Sequence, residues 1–361
     1  MIVKSLELNN FRNYKELHME FDKGTNILYG DNAQGKTNIL EAIYLSGTTK
    51  SHKGSKDKEM IRFEEKDSHI RTIVEKHDIT YQIDMHLKHN LSKGIAINGT
   101  RIRRAAQLFG IVNFIFFSPE DLNLLKSGPA ERRRFLNIEL CQLSRLYLSN
   151  LKNYNQAMKC RNALLKDLYF RPELEDTLEL WDAELVSYGI EIIREREQFV
   201  RQLNEIIYDI HRNLSGDREE LFIEYEPNVT QDTFARQLEA SRESDKKTRV
   251  TSVGPHRDDI RFLVKNVDLR RYGSQGQQRT CALSLKLAEI QLVKNTIKDT
   301  PVLLLDDVLS ELDSNRQNYL LNSIHDIQTM ISCTGLDEFV KNRFEINKIF
   351  HVIDGTVTSE N

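Results

Sequence analysis

"NILYGDNAQGKTNILEAIYL", residues 26–45, is the stretch from which the rest of the chain is read. A short apolar strand runs into Gly30, and an apolar helix follows Gly35. Between them "GDNAQGKT" (30–37) fits G-x-x-x-x-G-K-[ST] at every fixed position, in the strand–loop–helix context the pattern needs. Glycines at 30 and 35 allow a tight loop whose backbone N–H groups close on phosphates. Lys36 supplies a point charge, and Thr37 a hydroxyl for Mg²⁺. Residues 30–38 (Gly30, Asp31, Asn32, Ala33, Gln34, Gly35, Lys36, Thr37, Asn38) are therefore expected to line a nucleotide site.

Such a cradle needs a second carboxylate for the metal, at the end of a buried strand. "PVLLLDDV" (301–308) reads as a strand apolar on both faces, as in a parallel sheet covered by helices. Asp306 closes it and is the expected metal ligand. Asp307 follows, placed to orient the attacking water, so Asp307 and Lys36 are the expected catalytic pair. Lys36 and Asp306 lie 270 residues apart, much further than in small phosphotransfer enzymes. This separation, with a helical segment between, is the layout of ABC-type ATPase heads.

The chain between the two motifs changes period. Ile2, Leu6 and Leu8 share a parity and read as a strand, and "RTIVEK", "YQIDMHL" and "GIAIN" read as further strands. "NGT" (98–100) marks a hairpin turn. From about 130, Leu136, Leu140, Leu143, Tyr147, Leu151, Tyr154 and Met158 step by three and four, as do Trp181, Leu185, Tyr188 and Ile192. Pro172 interrupts and Gly216 ends the pattern, predicting two long helical arms packed as a compact subdomain. Strand signals return after 220, and "SRESDKKTRV" (241–250) reads as a solvated loop. The expected fold is α/β: an ABC-type P-loop ATPase head with a mixed sheet, formed by 1–125 and 217–361, and a helical insertion at 126–216.

Composition agrees with a globular chain of about two domains: 361 residues, 39% hydrophobic and 29% charged, with a net charge of −3. No global basicity attracts nucleic acid, so DNA contacts must be local. The candidates are Arg101, Arg103 and Arg104 in "RIRR", "RRR" at 132–134, and Lys53, Lys56 and Lys58. Each can also be a solvated face. Cys141, Cys160, Cys281 and Cys333 have no metal or disulfide spacing and read as free thiols of a reducing, cytoplasmic environment. No apolar run is long enough to span a membrane.

"GSQGQQRT" (273–280) opens an apolar helix just before the metal-binding strand, where ABC heads carry a signature loop. A helix N-terminus is an anion site, yet this one has no lysine. The reading that reconciles both is that Ser274, Gln275, Gly276 and Gln277 cap a nucleotide held by a second subunit. Together with "LNNFRNY" (8–14), "FFSPEDL" (116–122), "GPAERRRFLN" (128–137), "VGPHRDD" (253–259) and "LLLDDVLSELD" (303–313), this makes the sequence resemble the RecF family of bacterial recombination mediators, relatives of SMC-type heads. The match covers nearly the whole chain.

The resemblance implies ATP and Mg²⁺ as cofactors and an ATP-driven homodimer that binds DNA at single-strand/double-strand junctions, next to gaps. It implies RecO and RecR as partners in loading RecA. By the same resemblance Arg12 lies beside the nucleotide, against the reading of a surface turn arginine. In "SPEDL", Glu120 or Asp121 either joins the metal shell or belongs to a helix cap with Ser118. His256 lies in a turn of open role. Thr334 stands near where transporter ATPases carry a switch histidine. That, with an aspartate at 307, points to a slow ATP switch, and the resemblance implies an ATPase stimulated by DNA. The alternative is the head of another SMC-like or ABC-type complex.

Overall fold

The computed structural model describes residues 1–103, 107–121, 124–336 and 345–360. In chain order the elements begin with β1 (Ile2–Phe11), β2 (Tyr14–Glu20), β3 (Thr25–Tyr29), α1 (Lys36–Thr48), β4 (Asp67–Lys76), β5 (Ile79–Lys88), β6 (Leu91–Ile97), β7 (Thr100–Arg101) and β8 (Phe114–Phe117). Then come α2 (Pro129–Leu143), α3 (Arg145–Asp167), α4 (Leu178–Ser215), β9 (Leu221–Glu226), α5 (Phe234–Ala240) and α6 (Arg242–Thr248). They are followed by β10 (Asp259–Val264), β11 (Val267–Asp268), α7 (Leu269–Tyr272) and α8 (Gln275–Ile297). The chain closes with β12 (Val302–Asp306), α9 (Ser314–Ser323), β13 (Thr329–Cys333), β14 (Ile346–Ile353) and β15 (Thr356–Glu360).

These elements form two compact units, residues 1–122 with 283–361, and residues 123–282. In the first unit an antiparallel sheet runs β2-β1-β4-β5-β6-β7, and a second sheet runs β15-β14-β3-β13-β12-β8. Strands β14, β3, β13, β12 and β8 are parallel neighbours. β12 is buried at all five positions, as its unbroken apolar run requires. Because β13 lies between β3 and β12, the loops after β3, β12 and β13 leave one edge of the sheet together. Ligands of open α/β sheets bind at that carboxyl edge.

The β1 parity differs from the expected one. A register shift between Val3 and Ser5 turns Val3, not Ile2, toward the core together with Leu6 and Leu8. A bulge inserts one residue into a strand, so alternation continues but changes phase. The "NGT" turn forms as expected: Asn98 and Gly99 have φ of 50° and 77°, the left-handed pair that joins β6 to β7.

The second unit extends further than the helical insertion expected at 126–216. Its sheet, β11-β10-β9, belongs with the helices. Asn204 on α4 explains the attachment. Its amide donates to the Ile223 carbonyl at 2.7 Å and accepts from the Ile223 N–H at 2.8 Å, completing β9 as a neighbouring strand would. The first arm is also two helices, because Ser144 caps α3 by accepting from the Tyr147 N–H. The apolar period runs through this break, so periodicity alone does not reveal it. Pro172 opens a short 3₁₀ turn (Pro172–Thr177) between α3 and α4, as its fixed φ dictates.

Residues 241–250 are not a loop. They contain α6, and buried Asp245 accepts from the buried Arg161 guanidinium at 2.7 Å. Arg161 also meets Asp182 at 2.6 Å, and Arg196 meets Asp258 at 2.6 Å. The polar content that suggested solvent serves a buried ion-pair network. All four cysteines are free. Among the described residues no helix is long and apolar enough to cross a membrane.

Candidate nucleotide site and signature loop

The cradle follows from two glycines. Gly30 has φ 148°, and a Cβ there would stand 2.3 Å from the Val352 carbonyl oxygen. Gly35 has φ 115°, and a Cβ there would stand 2.5 Å from Asn13 Nδ2 and 2.6 Å from the Tyr14 hydroxyl. No other residue turns this loop without displacing its neighbours. Gly35 is also the N-cap of α1. It brings no side-chain cap, and the first helical turn holds no acidic residue. The positive end of the helix therefore meets neither a side-chain cap nor an acidic residue, as suits an anion site.

Lys36 is 6% exposed, and its ammonium donates to the carbonyls of Gly30 at 2.5 Å and Asp31 at 2.7 Å. The charge is thus folded over the loop. Asp31, Asn32 and Ala33 are exposed at its rim. Gln34 and Asn38 are held from outside: Asn13 donates to the Gln34 carbonyl at 3.0 Å and accepts from Asn38 Nδ2 at 2.9 Å, while Gln34 Oε1 accepts from the Asp354 N–H at 2.6 Å. Asn13 escaped the sequence reading because its partners are distant in the chain. "NNFRNY" marks it only as a turn.

The two expected metal ligands are in contact. Thr37 Oγ1 donates to Asp306 Oδ1 at 2.8 Å, and Ser332 at the end of β13 donates to the same oxygen at 2.7 Å. Burial raises the Asp306 pKa, against the two hydroxyl donors and the nearby charge of Lys53. Ser332 and Lys53 were not foreseen as neighbours of this carboxylate. A hydroxyl and a carboxylate are hard oxygen donors of the kind Mg²⁺ takes, with phosphates and water filling its remaining positions. Among the described residues no three His, Cys, Asp or Glu side chains converge as a metal site, so this two-donor arrangement fits a metal that arrives with a nucleotide.

Asp307 has φ 54°, and its N–H reaches Ser332 Oγ at 3.0 Å. The left-handed backbone is uncommon for a residue other than glycine and re-aims the chain at the carboxyl edge. Arg12 meets a buried partner: its guanidinium donates to Glu41 at 2.9 and 3.1 Å, to Ser55 Oγ at 2.8 Å and to the Glu59 carbonyl at 2.9 Å. It is therefore not a free turn arginine. Asp121 accepts from the N–H and hydroxyl of Ser118 at 2.8 and 3.0 Å, closing the "SPED" turn, while Glu120 is exposed. Asp121 therefore serves a turn. Thr334 is exposed beyond β13.

In the second unit Ser274 and Gln277 form a capping box. Ser274 Oγ accepts from the Gln277 N–H at 3.2 Å, and Gln277 Oε1 accepts from the Ser274 N–H at 2.9 Å. Ser274, Gln275 and Gly276 remain exposed, so the start of α8 is both capped and presented to solvent. The "PHRDD" turn is structural. His256 Nδ1 accepts from the Tyr154 hydroxyl at 2.7 Å and Nε2 donates to the Thr251 carbonyl at 3.0 Å. Asp259 pairs with Arg132 at 2.6 Å and with Arg270, just before the signature loop, at 2.8 Å.

The basic clusters separate. In "RRR", Arg132 is buried and Arg133 donates to the Asp258 carbonyl at 2.8 Å, so these two support the fold, while Arg134 pairs at the surface with exposed Glu131. Arg101 on β7 and Arg103 are exposed, while Arg104 lies outside the described residues.

The chain matches the RecF/RecN/SMC N terminal domain over residues 2–358. It is 64% identical to the DNA replication and repair protein RecF of Agathobacter rectalis, covering 99% of each chain, and 59% identical to that of Lachnospira eligens, covering 100% of each. A solved structure of the recombination mediator protein RecF with ATP, in the RecFOR pathway, superposes with a TM-score of 0.93 at 35% identity, covering 99% of this chain and 97% of that one. An SMC head bound to the C-terminal winged-helix domain of ScpA shares the fold, with a TM-score of 0.58 at 17% identity and coverage of 100% and 98%. With full-length relatives at this identity, a matching domain over nearly every residue and the cradle geometry its motifs require, the chain belongs to the RecF family.

Proposed function

We propose that this protein is an ATP-operated recombination mediator. It dimerises on ATP, holds DNA at single-strand/double-strand junctions and works with RecO and RecR to help load RecA. The observation that carries the reading is the start of α1 without a side-chain cap, with Lys36 folded over the loop and Thr37 against Asp306. In this reading Lys36 exchanges its two loop carbonyls for phosphate oxygens, and Thr37 and Asp306 hold the metal. Mg²⁺ supplies charge neutralisation at the β- and γ-phosphates. Asp307 orients water for a slow hydrolysis that resets the switch, stimulated by DNA.

The exposed face at Ser274, Gln275 and Gly276 takes the nucleotide of a second copy. DNA contact is to the backbone, with exposed Arg101 and Arg103 as phosphate partners. The names of its relatives support this reading. So does the exposure of a capped helix start that carries no phosphate-loop lysine of its own.

Light scattering with a non-hydrolysable ATP analogue tests the dimer. The wild type should dimerise only with the analogue. Ser274→Arg removes the cap and adds bulk. Ser274→Asp keeps a good N-cap but adds a negative charge where a phosphate must dock. Both variants should bind ATP as monomers and fail to dimerise. Normal dimerisation of Ser274→Asp would sink the trans assignment.

A further inference from the structure

The rings of Tyr169 and Phe170, in the second unit between α3 and the 3₁₀ turn, are 71% and 79% exposed. They meet at 88° with centroids 4.9 Å apart. In such a T one ring covers at most one face of the other, so stacking faces stay open to solvent. The turn that carries the rings is closed by the N–H groups of Phe170 and Arg171, each donating to the Asp167 carbonyl at 2.9 Å.

Exposed rings are not by themselves a site. Here the folded chain brings cations to them that lie far away in the sequence. The Arg249 guanidinium lies over the Tyr169 ring, 5.1 Å from its centroid. Arg249 ends α6 in a left-handed conformation, with φ 59°. Its segment is pinned to α3, since the N–H and the hydroxyl of Thr251 both donate to Asn162 Oδ1, at 2.8 and 2.7 Å. Lys246 of α6 meets Glu175 of the 3₁₀ turn at 2.7 Å. On α3, Lys159 and Lys166 stand two turns apart on one face, about 10 Å along the helix, and line a surface depression with Asn162 and Asp167.

The charge around the rings is unbalanced. Among the described residues Lys159, Lys166, Arg171, Lys247 and Arg249 make no ion pair, while Lys246 takes up Glu175 and Glu243. Asp167, Glu173 and Asp176 are the exposed acids that remain within 159–177 and 246–251, so free cations outnumber free acids there. An aromatic platform set among free cations suits a single strand of nucleic acid, in which every base offers a π face and every nucleotide a phosphate. In a duplex those faces are already stacked on one another.

We propose that the turn between α3 and α4 is a platform for single-stranded DNA: bases stack on Phe170 and Tyr169, and Arg249, Arg171, Lys166 and Lys159 hold the phosphates. The proposal rests on the reading of this protein as a binder of DNA junctions, and it assigns the single-stranded side of the junction to this turn. Stacking and phosphate contact read no base edges, so the platform is indifferent to sequence.

The test uses the full chain with a non-hydrolysable ATP analogue and follows fluorescence anisotropy of an oligothymidylate, a blunt duplex and a duplex with a single-stranded tail. Phe170→Ala should weaken oligothymidylate binding about 5- to 150-fold. Its affinity for blunt duplex and its melting temperature should not change, and the tailed duplex should lose its advantage over the blunt one. Arg249→Ala should lower the slope of log affinity against log salt by about 0.7 on the single strand. Phe170→Trp should keep the affinity, and the fluorescence it adds to that of Trp181 should be quenched by oligothymidylate and not by blunt duplex. Unchanged oligothymidylate affinity in Phe170→Ala overturns the platform and leaves the rings to a protein partner. Equal weakening on single strand and duplex overturns it as well, since the loss would then lie in the fold or in duplex contacts. A wild type that binds duplex and no single strand removes the platform and leaves the DNA reading standing. A wild type that binds neither removes both.

Discussion

In the first unit the buried ammonium of Lys36 rests on two carbonyls of its own loop, and the buried carboxylate of Asp306 rests on two hydroxyls. In the second unit the buried guanidinium of Arg161 meets Asp182, Asp245 and Thr251. That of Arg196 meets Asp258, Tyr147, Asn137 and the Pro255 carbonyl. A buried charge is expensive unless paired and hydrogen-bonded. The second unit meets that demand with opposite charges fixed in the fold, and its buried ions hold helices to a small sheet. At the cradle the first unit meets it with neutral groups that an incoming phosphate or cation can replace, although elsewhere its buried Glu41 keeps a fixed counter-charge in Arg12. The same residue types therefore do different work, and the partner, not the burial, separates them.

The strongest way to break this comparison is to truncate one buried cation in each unit. Arg196→Ala leaves Asp258 buried without its counter-charge and should destabilise the protein by about 3–5 kcal/mol in denaturant unfolding. Lys36→Met leaves no carboxylate stranded, and its stability should stay within about 1.5 kcal/mol of wild type while ATP binding is lost. Equal destabilisation by the two variants would erase the distinction.

Asp307→Asn sharpens the comparison on the functional side. The left-handed backbone at 307 suits asparagine, so the fold and ATP binding should survive. Single-turnover hydrolysis should slow by ~10²–10⁴ if the carboxylate orients or deprotonates water. Unaltered turnover would hand that task to another group.

The smallest expected effect is a pH dependence located in the second unit. Burial lowers the His256 pKa to about 4, and its neutral ring is held between Tyr154 and Thr251. The unfolded histidine titrates near ~6.5, so the unfolded chain takes up the proton first as pH falls. Stability from this group is complete above about pH 6.5 and is lost between there and about pH 4, by up to ~1.4 kcal/mol per unit. His256→Gln, measured by urea unfolding across that window, should flatten the slope. A slope identical to wild type would assign the acid sensitivity elsewhere.

Much of the candidate site's geometry was legible because its grammar is local. Gly30, Gly35, Lys36 and Thr37 occupy one strand–loop–helix turn, and the carboxylate of Asp306 closes a strand whose apolar run announces its burial. Asn13 and Ser332 were not legible, since each owes its position to pairing with residues far away in the chain. The signature loop was read as a docking surface for a second subunit. Its equally local pattern, a serine followed three residues later by a glutamine, also makes it a helix cap.

By itself the sequence determined the elements whose signals act over a turn or a strand: the cradle, the β12 strand, the "NGT" hairpin and the amphipathic arms. The tertiary structure decided what short-range patterning does not encode. It shifted the β1 face by a bulge, split the first arm at Ser144, and drew β9–β11 to the helices through Asn204. It also turned a polar stretch at 241–250 into the anion for a buried arginine. Hydrophobic periodicity records which side of an element avoids water. A charged residue records only that it needs a partner, and whether water, phosphate or a distant opposite charge fills that need is settled by what the folded chain brings beside it.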